Sequence, residues 1–117
     1  MKILVIDDNE NITKLLERFL KLKDHECVAV TDAKNALALL EKSKFDATIL
    51  DLAMPGFTGI DFLESLKTNG NISQNKVVVL TASNISEEEE KQIIAMGVRA
   101  VLRKPMKLDS LMDVLVS

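Results

Sequence analysis

The chain has 117 residues, so we expect one domain with one hydrophobic core and no room for a second, output domain. Its 15 Lys and Arg nearly balance its 18 Asp and Glu, and no basic cluster with interleaved aromatic residues occurs, so direct nucleic-acid binding is disfavoured. The opening apolar run is too short for a signal peptide, and no later run approaches membrane-spanning length. We therefore expect a soluble cytoplasmic protein without membrane contact.

The chain contains one cysteine, Cys27, and one histidine, His25. They cannot form an internal disulfide or a closed zinc site, because those need a second thiol or more ligands. We interpret Cys27 as a half-buried strand residue and His25 as an exposed turn residue.

Apolar runs of strand length alternate five times with stretches of helical period, which predicts repeated βα units and a parallel sheet with helices on both faces. Strands are predicted over residues 3–6, 27–31, 47–51, 76–81 and 99–103, the second being weak enough to suit a sheet edge. Helices are predicted over residues 10–22 and 33–42, between Thr58 and Asn69, between Ser86 and Gly97, and over residues 107–116.

Residues that can cap helices precede three of these helical stretches. They are Asp32, Thr58 and Ser86, and Ser86 forms a capping box with Glu89. The glutamates at 87–90 fall in a first helical turn, and we interpret them as a solvated helix start because adjacent helical residues face different directions. The apolar sets predicted to face inward are Ile12, Leu15, Leu16, Phe19 and Leu20 in the first helix, Ala33, Ala36, Leu37 and Leu40 in the second, and Ile60, Phe62, Leu63 and Leu66 in the third.

Polar side chains stand where four of the five predicted strands end. Asp7 and Asp8 follow the first strand, Asp51 ends the third, Thr81 ends the fourth and Lys104 follows the fifth. In a right-handed doubly wound sheet these ends lie along one rim, so we expect the five side chains to meet there. Three carboxylates repel one another and one lysine does not balance them, which predicts a divalent cation. An all-oxygen ligand set favours magnesium or manganese over zinc.

Such a cation neutralises an incoming phosphoryl group, while Thr81 offers a hydroxyl hydrogen bond and Lys104 a second positive charge. This combination predicts phosphoryl transfer to a carboxylate, with Asp51 as the acceptor. The simpler readings are a strand-end hydroxyl bonded to backbone for Thr81 and a surface lysine for Lys104.

The pattern resembles the response-regulator receiver domains of two-component signalling, over essentially the whole chain, residues 1–117. The motifs that carry the resemblance, in chain order, are Asp7-Asp8, Asp51 followed by Met54-Pro55 and Gly59, Thr81-Ala82, and Lys104-Pro105. The resemblance implies an α/β fold, a doubly wound five-stranded parallel sheet of order 2-1-3-4-5 with five helices, similar to flavodoxin.

The resemblance also implies how the metal site is built. Asp8, Asp51 and the backbone carbonyl of Ala53 would bind Mg²⁺ directly, and Asp7 would act mainly through water. Mn²⁺ is the other metal that such a site would accept.

By the same resemblance, Asp51 takes the phosphoryl group from a phosphohistidine of a sensor histidine kinase or a phosphotransfer protein. Thr81 and Lys104 would hold the phosphoryl oxygens, and Lys104-Pro105 would be a cis peptide. The chain would then be a switch and not an enzyme with its own substrate, acting through a downstream effector protein as a monomer or a weak phosphorylation-dependent dimer. The expected docking surfaces are the first helix, for the phosphoryl donor, and the face formed by the fourth helix, fifth strand and fifth helix.

Other functions stay open at this point. A pseudo-receiver would fold alike but serve only as an interaction module. A magnesium-dependent phosphatase with an aspartyl nucleophile needs an acid two residues beyond it, where Asp51 has Ala53 and Asp7 has Asn9. A flavodoxin-like nucleotide binder would need a glycine-rich loop after the first strand, which the sequence lacks. The sequence leaves it open whether the receiver stands alone or was cut from a longer protein.

One departure from the family generates a prediction. Many receivers carry Tyr or Phe three residues before the lysine, and this ring turns inward when the threonine moves to the phosphate; here the position is Val101. We predict weak coupling between phosphorylation and the fourth helix, fifth strand and fifth helix. NMR shift changes on adding beryllofluoride, an acyl-phosphate mimic, should be confined to the loops. Large changes across Arg99, Val101 and Arg103 would contradict this prediction.

Overall fold

Five parallel strands form one sheet in the computed structural model, which describes residues 1–52, 59–68, 76–81, 86–104 and 107–116. The strands are β1 (Lys2–Ile6), β2 (Glu26–Val30), β3 (Ala47–Asp51), β4 (Lys76–Thr81) and β5 (Ala100–Arg103). The helices are α1 (Glu10–Leu22), α2 (Ala33–Lys42), α3 (Gly59–Thr68), α4 (Glu87–Ala95) and α5 (Leu108–Val116). The predicted elements are confirmed, and no strand end differs from its predicted position by more than one residue.

The strand order is β2-β1-β3-β4-β5, as expected, and every pairing is parallel. The chain runs outward from β1 to the edge strand β2 and then returns past β1 to β3 on its other side. The direction of winding therefore reverses between β1 and β3, and sheets of this kind bind ligands beyond the carboxyl ends of the strands at such a point. Ile6 pairs with Leu50 in this register, so Asp7 and Asp51 come at equivalent positions on neighbouring strands.

The sheet is covered on both faces, which explains why its central strands have no polar alternation. Ile3, Leu4, Val5 and Ile6 are all fully buried. One face packs against α2, α3 and α4 through Ala36, Phe62, Leu63, Leu66 and Ile93. The other packs against α1 and α5 through Leu16, Leu20, Leu111 and Leu115.

The predicted inward face of α1 is wrong at Leu15, whose side chain is 54% exposed. The buried stripe of α1 is centred on Thr13, Leu16 and Leu20. Successive helical residues turn by about 100°, which carries Leu15 past the edge of this stripe and onto the solvent side. The sequence reading missed Thr13 because it is polar; its hydroxyl donates to the carbonyl of Glu10 at 2.9 Å, so the side chain can be buried.

Three helix boundaries follow the predicted local chemistry. The Asp32 carboxylate accepts the N–H of Lys34 at 2.7 Å, and the Ser86 hydroxyl accepts the N–H of Glu89 at 3.1 Å. Gly97 ends α4 with a φ of 108°, a conformation that costs glycine little. None of the helices in the described ranges is long and apolar enough to cross a membrane. The predicted Thr58 cap and the predicted limit of the third helix at Asn69 fall outside the described residues, as does the Ile60 side chain.

Thr48 provides a test of this packing. It lies in β3 between Leu4 and Val77, is fully buried, and its Oγ1 has no hydrogen-bond partner within the described part of the chain. Valine has the same shape without the polar atom, so Thr48→Val should raise the free energy of unfolding by about 1 kcal/mol, measured by urea denaturation.

The matched control is Thr13→Val, which removes a hydroxyl that is also on a buried residue but is hydrogen-bonded to the carbonyl of Glu10. This change should lower the free energy of unfolding by about 1 kcal/mol. A loss of stability of similar size in both variants would contradict the account of Thr48.

Candidate functional site

Asp7 directly follows β1, and its side chain is only 3% exposed. Both of its carboxylate oxygens have partners: Oδ1 accepts the backbone N–H of Asn9 at 2.9 Å, and Oδ2 accepts from Lys104 Nζ at 2.8 Å. The backbone N–H of Asp7 donates to the carbonyl of Val30 at 3.2 Å, which extends the pairing of β1 with β2 by one residue. Hydrogen bonds thus hold both the backbone of Asp7 and the two oxygens of its carboxylate.

Lys104 follows β5 and reaches into the rim of the sheet, with its side chain 17% exposed. Its Nζ also lies 3.8 Å from Asp51 Oδ1, so one ammonium group contacts two carboxylates. The backbone N–H of Lys104 donates to the carbonyl of Thr81 at 2.8 Å, which fixes the end of β5 against β4. Lys104 is therefore not a solvated surface lysine.

Asp8 completes a cluster of three carboxylates with Asp7 and Asp51. One oxygen from each lies within 4.8 Å of the others, and Asp8 is exposed while the other two are buried. The cluster therefore opens to solvent on the side of Asp8. Its three formal negative charges face the single positive charge of Lys104, and the excess is negative.

The donor set fits a hard divalent cation. Among the described residues, the candidate ligands are carboxylate oxygens, which Mg²⁺ prefers, and no imidazole or thiolate there belongs to the cluster. A cation would also offset the repulsion that the lysine leaves uncompensated. The Ala53 carbonyl predicted to complete the ligand set lies outside the described residues, as do Ala82 and Pro105 with its predicted cis bond.

Thr81 ends β4 and is fully buried. Asp51 is in register with Leu80, and Thr81 is in register with Arg103, the residue before Lys104. Thr81 therefore stands at the same rim, one residue beyond the position opposite Asp51 and beside the strand that delivers the lysine.

Sequence reasoning missed two features of this site. It placed Asp7 at the rim but did not predict its direct ion pair with Lys104. It also assigned no role to Asn9, whose backbone N–H binds Asp7. A signal for Asn9 was present, because an Asn just before a stretch of helical period is a preferred N-cap residue.

Among the described residues, the acidic cluster includes neither Cys27 nor His25. Burial, helped by Glu17 and opposed by Lys21, raises the pKa of the Cys27 thiol from 9.0 to about 11. The thiol therefore stays protonated and unreactive near neutral pH. His25 is half-buried and not exposed as expected, since its Nδ1 lies 3.0 Å from the amino group of Met1.

Comparison with known proteins places this geometry in a family. The sequence matches the profile of the response regulator receiver domain over residues 3–116. The sensory/regulatory protein RpfC of Xanthomonas campestris pv. campestris is 34% identical over 117 residues, which are 98% of this chain and only 16% of that protein. Chemotaxis protein CheY-3 of Vibrio cholerae is 30% identical over 117 residues, 97% of this chain and 87% of that protein.

A solved structure agrees with the sequence comparisons. The chemotaxis protein CheY4 of Vibrio cholerae superposes with a TM-score of 0.88 at 28% identity, covering 98% of this chain and 95% of that chain. Receiver domains are signalling domains that interact with histidine kinases or phosphotransfer proteins and with effectors. The sheet order, the acidic cluster at its carboxyl rim and the profile match across residues 3–116 together show that the chain belongs to the response regulator receiver domain family.

Proposed function

We propose that the chain, as one receiver domain over residues 1–117, is a phosphoacceptor switch of a two-component phosphorelay in the cytoplasm. Asp51 takes a phosphoryl group from the phosphohistidine of a sensor histidine kinase or a phosphotransfer protein, and the new charge changes affinity for an effector protein. The observation that carries this proposal is the position of the Lys104 ammonium group. It lies 2.8 Å from Asp7 and 3.8 Å from Asp51 at the carboxyl rim of the sheet.

The reaction is a transfer between two nucleophiles. A carboxylate oxygen of Asp51 attacks phosphorus as the phosphorus–nitrogen bond of the donor breaks, and the electron pair of that bond stays on the histidine nitrogen. The product is an acyl phosphate on Asp51 and a neutral or protonated histidine on the donor. Mg²⁺ held by Asp8 and Asp51 would supply charge neutralisation, and Lys104 and Thr81 would hold phosphoryl oxygens.

The surroundings of the three carboxylates favour Asp51 as the acceptor. Asp7 already uses one oxygen for the Asn9 N–H and the other for Lys104, so attack from Asp7 would break a short hydrogen bond. Asp8 is exposed, where water competes with every interaction that would stabilise a transferring phosphoryl group. Asp51 is 7% exposed and lies beside the ammonium.

Helix α1 is the proposed docking surface for the phosphoryl donor. Its side chains Leu15 and Leu22 are 54% and 82% exposed and lie two helical turns apart on one face. Lys14, Arg18 and Lys21 are exposed beside them. This face of apolar and basic side chains fits a helix pair that presents apolar and acidic side chains, from a kinase or a phosphotransfer domain. Since α1 begins two residues after Asp8, a donor docked there has its histidine near the rim.

The output face proposed here is formed by α4, β5 and α5. Arg103 Nη2 of β5 lies 3.6 Å from Glu90 Oε2 of α4, which links the helix to the residue that precedes Lys104. Val101 is half-buried and packs against the core on the α4 side. Because Val101 lacks the ring found in many receivers, movement of the strand end on phosphorylation would reach α4 only weakly through these two contacts, in a monomer or a weak phosphorylation-dependent dimer.

Replacement of the acceptor tests the proposal. The wild-type chain incubated with acetyl phosphate and Mg²⁺ should gain the mass of one phosphoryl group, and Asp51→Asn should gain none because the amide is not a nucleophile. Intact-mass spectrometry measures both, with and without Mg²⁺. The matched control is Asp109→Asn, an exposed carboxylate in α5 that should leave labelling unchanged.

A wild-type chain that stays unlabelled, or Asp51→Asn that is labelled as fast as wild type, would contradict the proposal. The first result would leave a pseudo-receiver that serves only as an interaction module. Catalytic turnover of a simple phosphate ester would instead favour a phosphatase.

The docking surface has its own test. With an autophosphorylated kinase fragment that labels the wild-type chain, Leu15→Ala should lower kcat/KM for transfer by about tenfold, a typical loss for a buried interface anchor. Labelling by acetyl phosphate, which needs no docking, should not change. Ile94→Ala in α4 is the matched control, since Ile94 is 48% exposed and lies outside α1. Equal losses for both variants, or a loss with acetyl phosphate, would contradict docking on α1.

A further inference from the structure

We infer that Asn9 is a positioning residue for phosphoryl transfer, acting through Asp7 on the Lys104 ammonium; this rests on the proposed function of Asp51. Asn9 lies between the acidic cluster and the first turn of α1, and it binds both. The link from Asn9 toward the proposed acceptor runs through Asp7 and Lys104. Its effect passes through the orientation of one carboxylate.

Three polar groups of Asn9 are fixed by hydrogen bonds. Its side-chain Oδ1 accepts the N–H of Asn11 at 3.0 Å, and its carbonyl accepts the N–H groups of Ile12 and Thr13, each at 3.1 Å. Its own N–H donates to Asp7 Oδ1 at 2.9 Å. The side-chain cap holds Asn9 extended, with φ −89° and ψ 107°, and in this conformation the N–H is aimed at Asp7.

Asp7 links the position of Asn9 to the position of the Lys104 ammonium group. Its side chain is 3% exposed, so water offers little alternative to the partners it has. With Oδ1 held by Asn9, Oδ2 is the oxygen presented to Lys104 at 2.8 Å. The same Nζ lies 3.8 Å from Asp51 Oδ1. Rotation of the Asp7 carboxylate would therefore move the ammonium relative to the phosphoryl acceptor.

Two substitutions separate the side-chain cap from the rest of the residue. Asn9→Ala removes the bond to Asn11 and loosens the extended conformation, whereas Asn9→Ser keeps an N-cap of similar strength. Two quantities are measured: the rate of labelling by acetyl phosphate at saturating Mg²⁺, and the ¹⁵N NMR signal of the Lys104 ammonium without Mg²⁺ or phosphoryl donor.

We expect Asn9→Ala to lower the labelling rate by about tenfold, the usual scale for losing a group that orients a site residue. Its Lys104 signal should shift toward that of Asp7→Ala. Asn9→Ser should keep the rate within about twofold of wild type. In an Asp7→Ala background, Asn9→Ala should change the rate by less than about twofold, because the carboxylate it orients is gone.

The matched control is Asp32→Ala, which removes the same type of cap from α2, where the carboxylate accepts the N–H of Lys34 at 2.7 Å. It should change neither the labelling rate nor the Lys104 signal. An equal loss of rate for Asp32→Ala, or an Asn9→Ala loss that persists in full without the Asp7 carboxylate, would overturn the inference and leave a role in helix stability alone.

The two proposals fail in different ways. If the wild-type chain takes no phosphoryl group, the proposed function fails, and the Lys104 signal decides the inference without any phosphoryl donor. A shift in Asn9→Ala that Asp32→Ala does not produce supports positioning of Lys104. An unshifted signal overturns it.

Discussion

One ammonium group between two buried carboxylates is the interaction on which this rim depends. Lys104 lies 2.8 Å from Asp7 and 3.8 Å from Asp51, and without it two largely desolvated negative charges would face each other. A broken buried ion pair is costly because the remaining charge is left uncompensated. The arrangement therefore exists only if β5 delivers its lysine to the rim that β1 and β3 supply with carboxylates.

The sheet order makes that delivery possible. Parallel strands joined by helical crossovers place all carboxyl ends at one edge, and the reversal of winding between β1 and β3 leaves space there. Residues far apart in sequence, such as Asp7 and Lys104, become direct partners as a result. The apolar strands that set this geometry are buried on both faces by five helices, so the core fixes where the strands end and the polar contacts fix the side chains there.

The apolar runs predicted the strands, and the resemblance to receiver domains implied the sheet order. With that order, the residues at the strand ends predicted the meeting of Asp7, Asp8, Asp51 and Lys104. Leu15 was misassigned because the apolar residues alone were used to locate the buried face of α1. The buried residues of that helix include Thr13, which is polar, and this places the buried face away from Leu15. The direct pairing of Asp7 with Lys104 was missed for a different reason. It depends on how far the Lys104 side chain extends toward Asp7, and the sequence around either residue does not indicate this.

Charge balance is the constraint that links this architecture to its chemistry. One lysine leaves three clustered carboxylates with an excess of negative charge, and a hard divalent cation would offset it. The same positive charges are what an incoming phosphoryl group requires. Three clustered carboxylates beside one lysine thus fit a divalent cation, and the phosphoryl transfer proposed for Asp51 would use the positive charge of both.

Thermal unfolding of the wild-type chain and of Lys104→Met, each with and without saturating Mg²⁺, tests this balance most directly. The account predicts that Mg²⁺ raises the Tm of both proteins, and that the loss of Tm caused by Lys104→Met is clearly smaller when Mg²⁺ is present, since the cation then compensates the carboxylates. A Tm that Mg²⁺ does not change, or a loss of the same size in both conditions, would contradict it.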